Sequence, residues 1–272
     1  MANQAGEPIW YELLSDDLSK VAPFYEAVVG WSIEKAHMAA EGGTDYYFLK
    51  RADNDATGGA MTLADSMKSC GMKPRWLAYF ATPDVDTSVA KLKELGGSVT
   101  MDPFDLPGVG RMAYVADPQG IPFYLMTGAS PERSEVFAGE DRNDFGKCGW
   151  NELLTSDAEG AIAFYGALTG MAVNERMPMG EMGDYSFLDV NDLRIGAVMK
   201  AVPEGPMAQF PIGPHCWHFY FRVPNVTAAK AAIESNGGTV LMGPMEVPGG
   251  EHIVVALDPD GANFGLVGPL GE

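Results

Sequence analysis

Glu12 and Glu152 sit in runs where an unpaired carboxylate is expensive: Trp10-Tyr11-Glu12-Leu13-Leu14 and Trp150-Asn151-Glu152-Leu153-Leu154. Each run has the length and apolar content of a buried strand, on which alternate residues share a face. Trp150, Glu152 and Leu154 therefore form one row, matched by Trp10, Glu12 and Leu14. A glutamate in such a row must be paired or perform chemistry. A structural role, with the carboxylate held by backbone or by Arg75 or Arg222, stands level here with a general-base role. A third run, Cys216 to Val223, separates into Trp217, Phe219, Phe221 and Val223, suited to packing under a helix, and His218, Tyr220 and Arg222, which face the other way. Glu152 beside His218 and Tyr220 makes an acid–base set: proton abstraction next to a carbonyl by Glu152, with His218 or Tyr220 polarising the oxygen. Glu152, His218 and Tyr220 are the candidate catalytic residues. Trp10 and Trp150 offer flat apolar area to an aromatic or aliphatic ligand. Glu12, Tyr124, Arg222 and His252 complete the candidate substrate-binding set; His252, which aligns with Arg111, suits an anionic or carbonyl oxygen and, equally, a surface position.

These residues belong to a duplicated chain. A shift of about 140 residues, the interval between Trp10 and Trp150, superposes the two runs above. It also superposes Phe24-Tyr25 on Phe164-Tyr165, Gly30 on Gly170, and Asp45-Tyr46-Tyr47-Phe48-Leu49 on Asp184-Tyr185-Ser186-Phe187-Leu188. Gly59-Ala60 matches Gly196-Ala197, and Trp76 with Tyr79-Phe80 matches Trp217 with Tyr220-Phe221. Asp117-Pro118-Gln119-Gly120 matches Asp258-Pro259-Asp260-Gly261. Within each copy a strand, a capped helix and three strands occur twice. In the first copy the strands are expected near 10–15, 31–38, 45–50 and 59–63, then 76–82, 98–101, 111–116 and 122–126. Asp17 and Asp84 cap helices from Leu18 and Val85, ended by Gly30 and Gly96-Gly97. This order excludes a Rossmann alternation, and no phosphate-binding glycine loop joins a strand to a helix.

The repeat with its Asp-Pro-x-Gly turns resembles the vicinal-oxygen-chelate (glyoxalase/bleomycin-resistance/dioxygenase) superfamily. The resemblance implies an α+β fold of four βαβββ modules, arranged as two tandem glyoxalase-like domains with curved, half-open barrel sheets. The expected domains span 1–130 and 147–272, and the charged segment 131–146 is read as a solvated linker. In the family a divalent metal is held by a His from an opening strand and a Glu from a closing strand. Carried onto this chain, the opening His positions fall on Trp10, Trp150, Leu77 and His218, and the closing Glu positions on Tyr124 and Gly265; the closing strands around Met61 and Met199 offer no ligand. One imidazole does not make a three-ligand site, so no metal and no other cofactor is expected.

A net charge of -19 disfavours nucleic acid and anionic membrane as partners, and no apolar run is long enough to span a bilayer. The N-terminus lacks a basic patch before an apolar core, and Cys70, Cys148 and Cys216 form no CxxC, so a cytoplasmic protein with reduced thiols is expected. The partner is expected to be a small molecule, with homodimerisation left open. The resemblance implies two functional classes. One is a glyoxalase-like enzyme without the usual metal, a lyase or isomerase acting on a small oxygenated or aromatic metabolite. The other is a non-catalytic protein that sequesters a toxic aromatic or cationic compound, as bleomycin-resistance proteins do. The concentration of polar groups in the second copy tips the reading to the enzyme.

Overall fold

A computed structural model describes residues 3–39, 45–202 and 204–271. The first copy runs β1 (Pro8–Ser15), α1 (Leu18–Val29), β2 (Ser32–Ala39), β3 (Asp45–Lys50) and β4 (Ala56–Thr62). A short helix α2 (Asp65–Ser69) leads to β5 (Arg75–Ala81), α3 (Val85–Glu94), β6 (Ser98–Leu106), β7 (Gly110–Ala116) and β8 (Pro122–Gly128). The second copy repeats the series as β9 (Cys148–Thr155), α4 (Ala158–Thr169), β10 (Ala172–Pro178), β11 (Asp184–Val190) and β12 (Leu193–Lys200). A 3-10 turn (Pro206–Gln209) stands in the place of α2, before β13 (Cys216–Arg222), α5 (Val226–Ser235), β14 (Thr239–Val247), β15 (Glu251–Leu257) and β16 (Asn263–Gly268). The capping expected from sequence is present: Asp17 and Asp84 accept backbone N–H bonds from Ser19 and Thr87, and Gly30 closes α1 at φ 87°.

Each copy builds one open, mixed eight-stranded sheet, in the orders β2-β3-β4-β1-β5-β8-β7-β6 and β10-β11-β12-β9-β13-β16-β15-β14. The four modules and the α+β class are therefore as the sequence implied. The antiparallel pairs β1·β5 and β9·β13 join the two modules of each copy, so β1 and β9 run through the middle of their sheets. One detail of the repeat shifts. Pairing sets Gly59 opposite Glu12 and Ala197 opposite Glu152, so Gly59 is equivalent to Ala197, not to Gly196.

The helix-bearing faces of the two sheets pack against each other as one core. Tyr11, Trp76 and Phe80 of the first copy belong to it with Phe219, Phe221 and Trp217 of the second. Trp76 and Phe221 lie 4.7 Å apart between ring centroids, and Phe80 and Trp217 5.2 Å. Reciprocal polar ties lock this core. Trp76 Nε1 donates to Tyr25 Oη (2.9 Å), which donates to Asp258 Oδ2 of the other copy (3.1 Å). Trp217 Nε1 donates to Tyr165 Oη (3.0 Å), which donates to Asp117 Oδ2 (3.2 Å). The Asp of each Asp-Pro-x-Gly turn thus accepts its own turn's N–H groups on one oxygen and a tyrosine of the other copy on the second. Burial pushes the Asp258 carboxyl up to about 7.

Two smaller clusters line the opposite faces, away from the long helices and packed by Met67 of α2 and Met207 of the 3-10 turn; these are here called the open faces. The segment after the first copy is less solvated than its composition suggested. Val136 and Ala138 are buried, Ala138 N–H bonds the Cys148 carbonyl, and Arg133 pairs with the buried Glu7. Cys148 and Cys216 are buried thiols and Cys70 is an exposed one. Among the described residues no helix is long and apolar enough to cross a membrane.

Candidate functional site

Alternation on the central strands delivers the expected rows. Leu13 and Leu153 enter the shared core, while Leu14 and Leu154 join the open-face clusters, with Trp10 and Trp150 packed against them. Glu12 and Glu152 therefore lie on the open faces, only 2% and 4% exposed. On the neighbouring strands Tyr79 sits opposite Trp10 and Tyr220 opposite Trp150, whereas Leu77 faces Glu12 and His218 faces Glu152.

In the second copy four side chains form a closed relay. Trp150 Nε1 donates to Tyr185 Oη (2.8 Å), Tyr185 Oη donates to Glu152 Oε1 (2.7 Å), and Tyr220 Oη donates to Glu152 Oε2 (3.1 Å). Burial raises the Glu152 carboxyl above its ordinary value, and the two tyrosine hydroxyls partly offset this by bonding the charged form. His218 is fully buried and stacks on Phe210 at 5.2 Å. Desolvation lowers its pKa to about 3, so the ring is neutral at physiological pH. As the Asn263 amide is oriented, its Nδ2 lies 2.9 Å from His218 Nδ1 and donates to it, which leaves the ring proton on Nε2. That Nε2 has no hydrogen-bond partner.

The first copy repeats the relay with one link open. Trp10 Nε1 donates to Tyr46 Oη (2.8 Å) and Tyr79 Oη donates to Glu12 Oε2 (2.9 Å). Glu12 Oε1 is buried without a hydrogen-bond partner. Tyr46 is close enough to favour the charged carboxylate but stands outside bonding geometry with Oε1. Burial, opposed by Tyr79 and Tyr46, pushes Glu12 up to about 7. The Tyr79 ring stacks on Tyr124 at 4.1 Å and 7°, with Tyr114 4.8 Å from Tyr124. In the second copy the position of Tyr124 is Gly265, and the Tyr220 ring lies over its bare Cα.

The structure thus brings Glu152, His218, Tyr220 and Trp150 onto one open face, and Trp10, Glu12 and Tyr124 onto the other. Arg222 and His252 do not join them. Arg222 Nε donates to the Arg142 carbonyl at 2.9 Å, and Nη2 pairs with Glu251, because a register irregularity after Tyr220 carries the strand end away from the row. His252 shares its strand parity with Val254 and Ala256, both in the core beneath the helices, so it lies on the wrong face. Its equivalent, Arg111, is tied to Asp86 and Asp105. The glutamates are held by tyrosine hydroxyls, not by backbone, Arg75 or Arg222. Strand periodicity does not single out Tyr46 and Tyr185 as site residues, although their presence at matching places in both copies is a signal the sequence carries. Asn263 and Phe210 carried no such signal.

Two cavities lie elsewhere. One of about 650 Å³ is lined by Arg51, Asp55, Glu132, Arg133 and Glu135, and its arginines are already paired with Asp53 and Glu7. Another of about 250 Å³ lies at the seam of the copies, between Arg75, Trp76, Cys216 and Trp217. Neither is lined by Glu12 or Glu152.

The family's divalent metal does not fit these faces. Among the described residues no three His, Cys, Asp or Glu side chains converge. Both oxygens of Glu152 are taken by tyrosines, and of the residues at the ligand positions only His218 is a ligand type, while Glu12 and Glu152 lie two residues away from them.

The chain matches the Glyoxalase/Bleomycin resistance protein/Dioxygenase superfamily over residues 9–125 and again over 147–266. The chain is 31% identical over 267 residues to "Putative glyoxylase CFP32" of Mycobacterium tuberculosis, covering 98% of this chain and 96% of that one. It is 29% identical to "Anthracycline biosynthesis protein DauV" of a Streptomyces species, covering 96% and 93%. Among solved structures it shares its fold with a Mn(II)-bound glyoxalase from Novosphingobium aromaticivorans, with a TM-score of 0.63 and 17% identity over 98% of this chain and 83% of that one. The 2,2',3-trihydroxybiphenyl 1,2-dioxygenase of Sphingomonas wittichii gives a TM-score of 0.62 at 16% identity, covering 98% and 90%.

Proposed function

Because the chain belongs to the Glyoxalase/Bleomycin resistance protein/Dioxygenase superfamily and buries a carboxyl on each open face, we propose that it is a lyase or isomerase acting on a small oxygenated or aromatic metabolite. The observation that carries this reading is the pairing of Glu152 with His218 on adjacent strands. One supplies an acceptor poised by burial, the other an unpartnered neutral donor at Nε2.

The chemistry is proton transfer next to a carbonyl. Glu152 takes the proton, the C–H electron pair moves into the new C=C bond, and the charge arrives on the carbonyl oxygen. His218 Nε2–H then donates to that oxygen, and its neutrality suits it to hydrogen bonding without the cost of a buried charge. Tyr185 and Tyr220 hold the carboxyl in place and release it as it accepts the proton. Return of that proton to a neighbouring atom makes an isomerase; expulsion of a leaving group makes a lyase. Phe210 covers His218, so the substrate enters by displacing this side chain from the ring. Trp150 and Tyr185, both half-buried, form the rim.

The test is exchange of carbon-bound hydrogen in D2O, followed by NMR over a panel of 2-oxo and 2-hydroxy carbonyl compounds. The wild type should exchange at least one of them, and Glu152→Gln should cut the rate by roughly two to four orders of magnitude. Undiminished exchange in Glu152→Gln removes the reading. Tight aromatic binding with no exchange in the wild type would instead favour sequestration, to which the net charge of -19 and the tryptophan rims also lend themselves.

A further inference from the structure

We infer that the open face of the first copy is a separate binding site for an organic ammonium ion, kept open by Gly59. The inference rests on the reading that the open faces are ligand sites, and adds a ligand class for the copy whose role that reading leaves undefined.

The two relays differ at one oxygen. Glu152 Oε1 accepts from Tyr185, whereas the equivalent Glu12 Oε1 is buried and accepts from nothing. The cause lies on β4 and β12. A Cβ placed on Gly59 would fall 2.0 Å from Tyr46 Oη and 2.3 Å from its Cζ, so the Tyr46 ring rests where a methyl would be. Ala197 carries that methyl in the second copy, and there the tyrosine reaches its glutamate at 2.7 Å. The missing methyl lets Tyr46 sink against the strand and leaves an acceptor unsatisfied, a costly condition that a ligand donor would relieve.

The surroundings select a cation. Tyr46, Tyr79 and Tyr114 lie close enough to the carboxyl to feel its charge, and with Trp10 and Tyr124 they make its surroundings aromatic, the setting in which an ammonium gains from both the charge and neighbouring rings. No described ion pair involves Glu12. Among the described residues the titratable groups whose charges couple around it are Tyr46 from β3, Tyr79 from β5, Tyr114 from β7 and Tyr124 from β8, while β4 carries none. Arg75, at the start of β5, is a cation whose field reaches this cluster, through Tyr114. A neutral hydroxyl would fill the empty acceptor, but only a cation also offsets the buried negative charge.

Calorimetric titration of the full chain with benzylamine, and with benzyl alcohol as its neutral counterpart, tests this. Benzylamine should bind at least tenfold more tightly. Its affinity should rise about tenfold from pH 6 to pH 8 as Glu12, with its pKa of about 7, ionises while the amine stays charged. Gly59→Ala should weaken benzylamine tenfold or more, and Ala197 shows that the fold accepts alanine at this place. Glu12→Gln should erase the preference for the charged probe. Equal affinity for the two probes, an unchanged Gly59→Ala, or no benzylamine binding overturns the inference. Hydrogen exchange that depends on Glu152, with no amine binding, sinks this inference alone. Amine binding without any exchange sinks the proton-transfer reading alone.

Discussion

The two open faces are one design carried to different ends. Both place a tryptophan, two tyrosines and a glutamate in the same register. The second closes its relay around Glu152 and leaves a donor unpaired at His218 Nε2; the first leaves an acceptor unpaired at Glu12 Oε1. Among the positions that separate them are Leu77 against His218, Tyr124 against Gly265, Tyr114 against Val255, and Gly59 against Ala197. Buried hydrogen-bonding capacity therefore diverges through a few side chains while the backbone scaffold stays constant.

The largest expected difference is catalytic. Glu12→Gln should reduce hydrogen exchange far less than the hundredfold or greater loss expected for Glu152→Gln. Equal losses, measured side by side in D2O, would make the faces equivalent sites and dissolve the comparison.

The next effect is on stability. The folded-state pKa of Glu12, about 7, lies above the ordinary 4.5, so the native state holds this proton after the unfolded chain has lost it. Stability should then fall as pH rises from about 4.5 to 7 and level off above, with the Glu12 share amounting to roughly 3 kcal/mol. Asp258, also raised to about 7, acts in the same sense. Urea unfolding at pH 5 and pH 8 should show a smaller decline in Glu12→Gln than in the wild type; an equal decline would show that Glu12 does not titrate in this range.

Gly265→Ala should cost roughly 1–3 kcal/mol, because the new methyl would fall 2.3 Å from Tyr220 Cδ1 and push that ring off Glu152. Unchanged stability in chemical denaturation would mean that the ring has room to move aside. Smaller still, Tyr185→Phe should cost about 1 kcal/mol, since it removes one hydrogen bond to Glu152 and the acceptor of Trp150 Nε1. A loss no greater than that of Tyr46→Phe would show that the closed link adds nothing.

The sequence by itself determined the duplication, the module order, and the faces taken by Trp10, Glu12, Trp150, Glu152, His218 and Tyr220. Strand alternation and helix caps are local rules, and a repeat repeats them. The same local rules put His252 and Arg222 with the glutamates, where the structure does not bring them. A row read along one strand does not reveal which strand end turns toward the linker, or which parity on β15 meets the core. Only the tertiary structure decided that tyrosines from β3 and β11 complete the relays. It also decided that the Asp-Pro-x-Gly turns bind across the copies, and that a missing methyl at Gly59 opens one relay. Each of these depends on side chains distant in sequence meeting within hydrogen-bond distance, which strand pairing and sheet packing fix and local periodicity does not encode.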